Sequence, residues 1–175
     1  MSKTSSLNMN VKMNFKNILL NSLIVLIIFL ADRISKIYIL KQAELENSVD
    51  IYLTSYLNLY LIWNKGIAFG LFSFDNSSIY NLISLLIIII IFIILIMIIK
   101  AKGFKKYCLI SIFGGSISNL FDRIYYSAVP DFIDFHVNNH HWFVFNVADI
   151  FITLGVICLV YAELFLNNRK NEKSA

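Results

Sequence analysis

Hydrophobic residues in this chain come in long unbroken blocks, with few of the short alternating runs of a soluble core. The segment 79–99 carries no charge and only Asn81 and Ser84 as strongly polar positions. As a helix it is long enough to cross the ~30 Å of hydrocarbon in a bilayer. Segments 18–40, 107–124 and 147–166 are comparable, some needing tilt or polar ends in the interface. The pattern predicts an all-α membrane protein: a four-transmembrane-helix bundle in a single integral domain, 1–175. Two connections are long, 41–78 and 125–146. In the first, Tyr52 to Trp63 (YLTSYLNLYLIW) is rich in Tyr, Leu and Ile with partial alternation, which predicts a strand or hairpin. Its aromatics suit the membrane–water boundary. A short interfacial helix is expected within 71–80, and 125–146 reads as a loop.

Composition sharpens the membrane reading. The chain is 58% hydrophobic with a mean hydropathy of +0.72, against about 45–50% apolar residues in a soluble domain. At 175 residues it is too small to wrap a soluble shell around several such helices. The net charge of +4 matters less than its placement. Lys3, Lys12 and Lys16 precede the first span; Lys100, Lys102, Lys105 and Lys106 fill the turn between the second and third; Arg169, Lys170 and Lys173 follow the fourth. The stretch 125–146 has no Lys or Arg. The positive-inside rule then puts both termini and the basic turn in the cytoplasm, and the long connections outside. Nine of the eleven acidic residues fall on that outer side, so the chemistry is expected there. A basic patch with interleaved aromatics in a polar region is absent, which excludes a nucleic-acid partner. Cys108 and Cys158 lie inside apolar segments without zinc spacing and read as packing residues. Segment 18–30 has the apolar core of a secretory signal, but Ala31 is followed by Asp32 and Arg33, not by a small-residue cleavage site, so a retained span is expected.

Carboxylates at membrane depth are costly and mark interiors or working sites. Asp131 stands among apolar neighbours in Val129-Pro130-Asp131-Phe132, whereas Asp134 reads as solvated further along. Asp149 opens the fourth span, where the helix dipole favours its charge. Two carboxylates sharing a dry site cannot both ionise easily, and one acid with one base is what amide hydrolysis by water needs. The plain alternative is two unrelated helix-end acids. Asp32 and Lys36 are one helical turn apart and read as an interfacial ion pair, with Arg33 snorkelling outward. Asn119, Asp122 and Arg123 share one face at the outer end of the third span, with Asp122 and Arg123 as a possible pair. Gly114 and Gly115 permit close helix packing. Asn64 to Gly70 reads as a glycine-marked turn. His136, His140 and His141 sit in a polar, solvated context with Asn138 and Asn139, so no metal site is expected. A proton-coupled transporter subunit and a non-catalytic assembly factor are the competing classes. The first lacks an internal repeat and a ladder of acids across the bilayer; the second leaves the two aspartates unexplained.

The motifs Asp32…Lys36, Asn64-x-Gly66-x-Ala68-Phe69-Gly70, Gly114-Gly115 with Asn119-x-x-Asp122-Arg123, Asp131-Phe132-Ile133-Asp134 and Phe145-Asn146-x-Ala148-Asp149 occur in this order. Together they resemble the lipoprotein signal peptidase (signal peptidase II) family over nearly the whole chain. The resemblance implies an aspartyl endopeptidase of the bacterial cytoplasmic (inner) membrane, a monomer without metal or organic cofactor. It implies substrates that are diacylglyceryl-modified prolipoproteins held in membrane lipid, cut amino-terminal to the lipidated cysteine. It also implies a small extracytoplasmic β-cradle beside the four helices. Asp131 and Asp149 match the catalytic pair, with Asp122 as the rival for the first place. Asn64, Asn119, Arg123 and Asn146 match positions that line the site, and Asp32 one that supports it; Gly66 and Ala148 belong to the same motifs. Arg33, Ser118 and Pro130 stand where many members have Gln, Gly and Val.

Overall fold

A computed structural model of the chain describes residues 15–66, 77–138 and 140–166. Among these, four helices frame a small sheet: α1 (Phe15–Glu46), α2 (Ser77–Lys100), α3 (Phe104–Tyr126) and α4 (Val147–Tyr161), the last continuing into a π-helical turn, Ala162–Leu166. Strands β1 (Asp50–Thr54) and β2 (Leu57–Asn64) follow α1; β3 (Val129–Val137) and β4 (His140–Phe145) join α3 to α4. The sheet order is β1-β2-β3-β4, antiparallel throughout.

Phe15–Glu46, Ser78–Lys100 and Val147–Phe165 are each long and apolar enough to cross a membrane. On α2, Leu82, Leu85, Leu86, Ile88, Ile89 and Phe92 are all exposed, so its apolar surface runs round the helix and calls for lipid. α3 differs. It packs against α1, α2 and α4 and buries Ser118, Asp122 and Arg123. A central helix is screened by its neighbours and can carry polar residues on its inward faces.

On α1 the buried positions Ile28, Asp32, Lys36 and Ile39 repeat at helical spacing and form one inward stripe. The helix outruns its predicted end by six residues, to Glu46, because its last turns dock on the sheet: Ile39, Val49 and Phe132 form a core there, with Ala43 against it. Asn47 at φ 59° turns the chain away, a left-handed conformation that Asn tolerates.

The hairpin expected within 52–63 is present as β1 and β2. The loop expected over 125–146 is instead a second hairpin. Its pattern was hidden because β3 is covered on both faces: Val129 to Phe132 are all buried, so apolar and polar residues do not alternate. The expected interfacial helix lies largely outside the described residues; 77–80 form the first turn of α2.

Close helix packing at the glycines is realised. A Cβ on Gly115 would lie 2.5 Å from the Ala148 carbonyl oxygen, and one on Gly155 2.9 Å from that of Cys108. The α3 and α4 backbones therefore touch next to Asp149. Gly115→Ala should lower stability by about 1–3 kcal/mol, the usual result of overpacking. Thermal unfolding in detergent reads this; an unchanged midpoint would mean that the two helices can part there freely.

Candidate active site

The start of α4 organises the site. Asn146 is its N-cap: the side-chain oxygen accepts from the Asp149 backbone N–H at 3.0 Å, and Asp149 Oδ2 accepts from the Asn146 N–H at 3.1 Å. This reciprocal capping locks both side chains at the first turn. The Asn146 amide then donates to Asp131 Oδ1 at 2.6 Å. One asparagine thus bridges a carboxylate on β3 and a carboxylate on α4.

The remaining carboxylate oxygens are also held. Asn64 Nδ2 donates to Asp131 Oδ2 at 2.8 Å, and Asn119 Nδ2 donates to Asp149 Oδ1 at 2.8 Å. Asn64 ends β2, paired with Val129 two residues before Asp131. Its oxygen accepts from the Gly66 N–H at 2.8 Å, which orients the amide toward Asp131. Asp131 is only 2% exposed. Burial first, then the nearby Asp149 charge, push its carboxyl up to about 7; the amides of Asn64 and Asn146 and the Lys36 charge pull the other way.

Beneath this pair lies a buried ionic platform. Lys36 Nζ donates to Asp32 at 2.8 Å, to Asp122 at 2.6 Å and to Asn119 at 2.9 Å. Arg33 pairs with Asp122 at 2.5 Å and lies over the Phe121 ring. Asp32 also accepts from Ser118 Oγ at 2.5 Å and from the Ala148 N–H at 2.9 Å. Two acids face two bases, so the buried cluster is neutral as a whole. Through Asn119 it reaches Asp149.

Several expectations change at this level. Asp32 and Lys36 do pair, but both side chains are fully buried, not interfacial. Arg33 turns inward because Asp122 offers a partner there, and does not snorkel. Asp122 pairs with Lys36 and Arg33 across to α1, not with its neighbour Arg123. Arg123 donates instead to the Gly66 carbonyl, while its own carbonyl accepts from Tyr80 OH at 2.9 Å. Ser118 replaces packing space with a hydrogen bond. Asp134 is wholly buried, not solvated. Ala148 and Gly66 serve the site through their backbones. The sequence signalled the pairing of Lys36 with Asp32; its reach to Asp122 and Asn119 on α3 appears only in the fold.

Beside Asp149 opens an apolar groove of about 240 Å³, lined by Phe143, Phe145, Ile150, Thr153 and Leu154. A larger groove of about 750 Å³ runs between the end of α1, Trp63 and Tyr125–Tyr126, and Asp131 and Asp149 do not line it.

Residues 24–165 match the family model described as Signal peptidase (SPase) II. The chain is 59% identical over 164 residues to a lipoprotein signal peptidase of Pelagibacter ubique (strain HTCC1062), covering 93% of this chain and 99% of that one. It is 36% identical over 148 residues to the lipoprotein signal peptidase of Anaplasma phagocytophilum (strain HZ), covering 83% and 92%. A solved structure described as a bacterial membrane enzyme superposes with a TM-score of 0.69 at 26% identity, over 89% of this chain and 92% of that one. With its apolar helices, its small antiparallel sheet and a match along nearly its full length, this chain belongs to the signal peptidase II family and is a membrane peptidase, a hydrolase of peptide bonds.

Proposed function

We propose that the chain is an aspartyl endopeptidase that removes the signal peptide from diacylglyceryl-modified prolipoproteins, cutting amino-terminal to the lipidated cysteine. The observation that carries this is the bridging of Asp131 and Asp149 by Asn146. Asp131 and Asp149 share one proton: burial and the nearby Asp149 charge push the Asp131 carboxyl up to about 7, which makes Asp131 the protonated member of the pair. The ionised member takes a proton from water as the water oxygen attacks the scissile carbonyl. The protonated member donates to the carbonyl oxygen. Collapse of the tetrahedral intermediate breaks the C–N bond, and a proton passes to the leaving amine. No metal or organic cofactor enters this scheme.

Arg123 supports the reading. Its Nη1 is buried without a hydrogen-bond partner among the described residues, so a substrate carbonyl would satisfy it. The apolar groove at Phe143, Phe145 and Ile150 suits a small apolar side chain next to the scissile bond. Asn119 and Asn146 orient the dyad; Asp122, committed to Lys36 and Arg33, supports it from below.

All four helices cross the cytoplasmic membrane, α3 as the shielded central span, in one domain that acts as a monomer. Both termini and the basic turn 100–106 lie in the cytoplasm, with the sheet and the dyad near the outer face. The direct test is purified protein incubated with lipidated and unlipidated precursor. Cleavage of the lipidated form alone supports the proposal; cleavage of neither overturns it.

A pH dependence follows. Loss of the shared proton should make activity fall as pH rises through about 7. The Asn64 amide favours the charged form of Asp131, so Asn64→Leu should raise the Asp131 pKa and move this alkaline limb to higher pH. A pH–rate profile of the variant checks it; an unmoved limb would detach Asp131 from the titration.

A further inference from the structure

β3 presents a second set of polar groups on its other face. Asp131 and Asp134 are three residues apart, an odd spacing, so they project to opposite sides of the sheet. Asp134 and His136 share a side by the same rule, and His141 sits directly opposite His136 on β4. Asp134 Oδ2 accepts from His141 Nδ1 at 2.7 Å, and His136 Nδ1 stands 3.4 Å from the same oxygen without forming a hydrogen bond. One ligand atom from each of the three residues lies within 4.8 Å of the others.

The hydrogen bonding of this cluster is incomplete. Asp134 Oδ1 and His136 Nδ1 are both buried without a hydrogen-bond partner among the described residues. Asn58 on β2 is the cross-strand neighbour of Asp134, and its Oδ1 is likewise buried and unpartnered. Cross-strand neighbours share a face. Two acceptor oxygens and an imidazole nitrogen are thus left unsatisfied on one side of the sheet, a costly arrangement that a cation would relieve.

We propose that Asp134, His136 and His141 form a binding site for a divalent first-row transition cation, distinct from the dyad. Two imidazoles and one carboxylate match the donor set taken by such ions, whereas magnesium and calcium prefer oxygen alone. Ligand atoms around a tetrahedral zinc stand roughly 3.3 Å apart, as its bond lengths of about 2.0–2.1 Å require, so a small closing of the ring positions suffices. Asp134 and His136 are buried and pre-positioned; His141, with a side chain 60% exposed, gives entry from solution. The ion would fasten β3 to β4, the hairpin that carries Asp131 and leads into Asn146.

The test is zinc binding to the full chain in detergent, by calorimetry, with cobalt substitution as a spectroscopic probe of nitrogen ligation. One zinc per chain is expected. Affinity should fall at least about 10-fold in Asp134→Asn, His136→Gln and His141→Gln, and stay unchanged in His140→Gln. The exposed His141 keeps the test valid if a buried variant misfolds. Absence of saturable binding, or equal loss in His140→Gln, overturns the proposal. These readouts do not depend on peptidase activity, so they stand apart from the catalytic reading.

Discussion

Asp131→Asn and Asp149→Asn should each reduce precursor cleavage by on the order of 10²–10⁴-fold, the range ascribed to acid–base groups, while leaving the fold intact. Both substitutions preserve shape, and each new side chain keeps a carbonyl oxygen to accept one of the existing hydrogen bonds. Its NH2 then faces a second donor, because the oxygens of Asn64, Asn119 and Asn146 are already held by Gly66, Lys36 and Asp149, so a small loss of stability accompanies the loss of cleavage. The Asn146–Asp149 cap loses its charge but can keep its geometry. Turnover of a lipidated precursor, measured beside the thermal unfolding of each variant, separates chemistry from folding. Near wild-type cleavage by either variant would end the dyad assignment. Asp122→Asn belongs in the same assay. Asp122 is bound to Lys36 and Arg33, so its neutralisation should act chiefly on stability. A folded Asp122→Asn protein as inactive as Asp131→Asn would move the catalytic role to Asp122.

The second large effect is structural. Lys36→Met should destabilise the protein by about 3–5 kcal/mol, the usual result of stripping one partner from a buried ion pair. Lys36 touches Asp32, Asp122 and Asn119 at once, and its side chain is fully buried. Without it, two buried carboxylates share Arg33 as the one remaining cation of the cluster. Because the penalty comes from unbalanced charge, Lys36→Met combined with Asp122→Asn should recover part of the loss. Equilibrium unfolding in detergent reads both. Equal stability of the single and double variants would show that the platform tolerates net charge, and would undo this account. Activity should fall as well, because Lys36 orients the Asn119 amide that holds Asp149.

Much of the candidate site was legible along the chain because its signals are local. Asp149 was legible from its place at the head of an apolar block, where the helix dipole favours a carboxylate; the reciprocal cap with Asn146 that fixes both side chains came with the structure. An aspartate framed by Val129, Pro130 and Phe132 is already marked as buried. The strand or hairpin read over Tyr52 to Trp63 followed from partial alternation and aromatics, and β2 runs one residue further, to Asn64. Arg33 misled for a physical reason. An arginine beside the end of an apolar run has a default route to water, and only a carboxylate supplied by another helix reverses it.

By itself, the order of apolar blocks and charges determined that helices dominate, that a hairpin follows the first, and that acids gather toward one side. Periodicity and capping depend on neighbours a few residues away, and the chain contains those neighbours wherever it goes. Which distant partners meet was decided by packing: Lys36 with Asp122 across 86 residues, Ala148 with Asp32 across 116, and the two glycine contacts that bring α3 against α4. Packing also made a hairpin of β3 and β4, on which strand alternation then sets Asp131 and Asp134 on opposite faces. A strand covered on both sides has no amphipathic signature to read, and the sign of a buried charge's environment depends on side chains that only the folded bundle brings near.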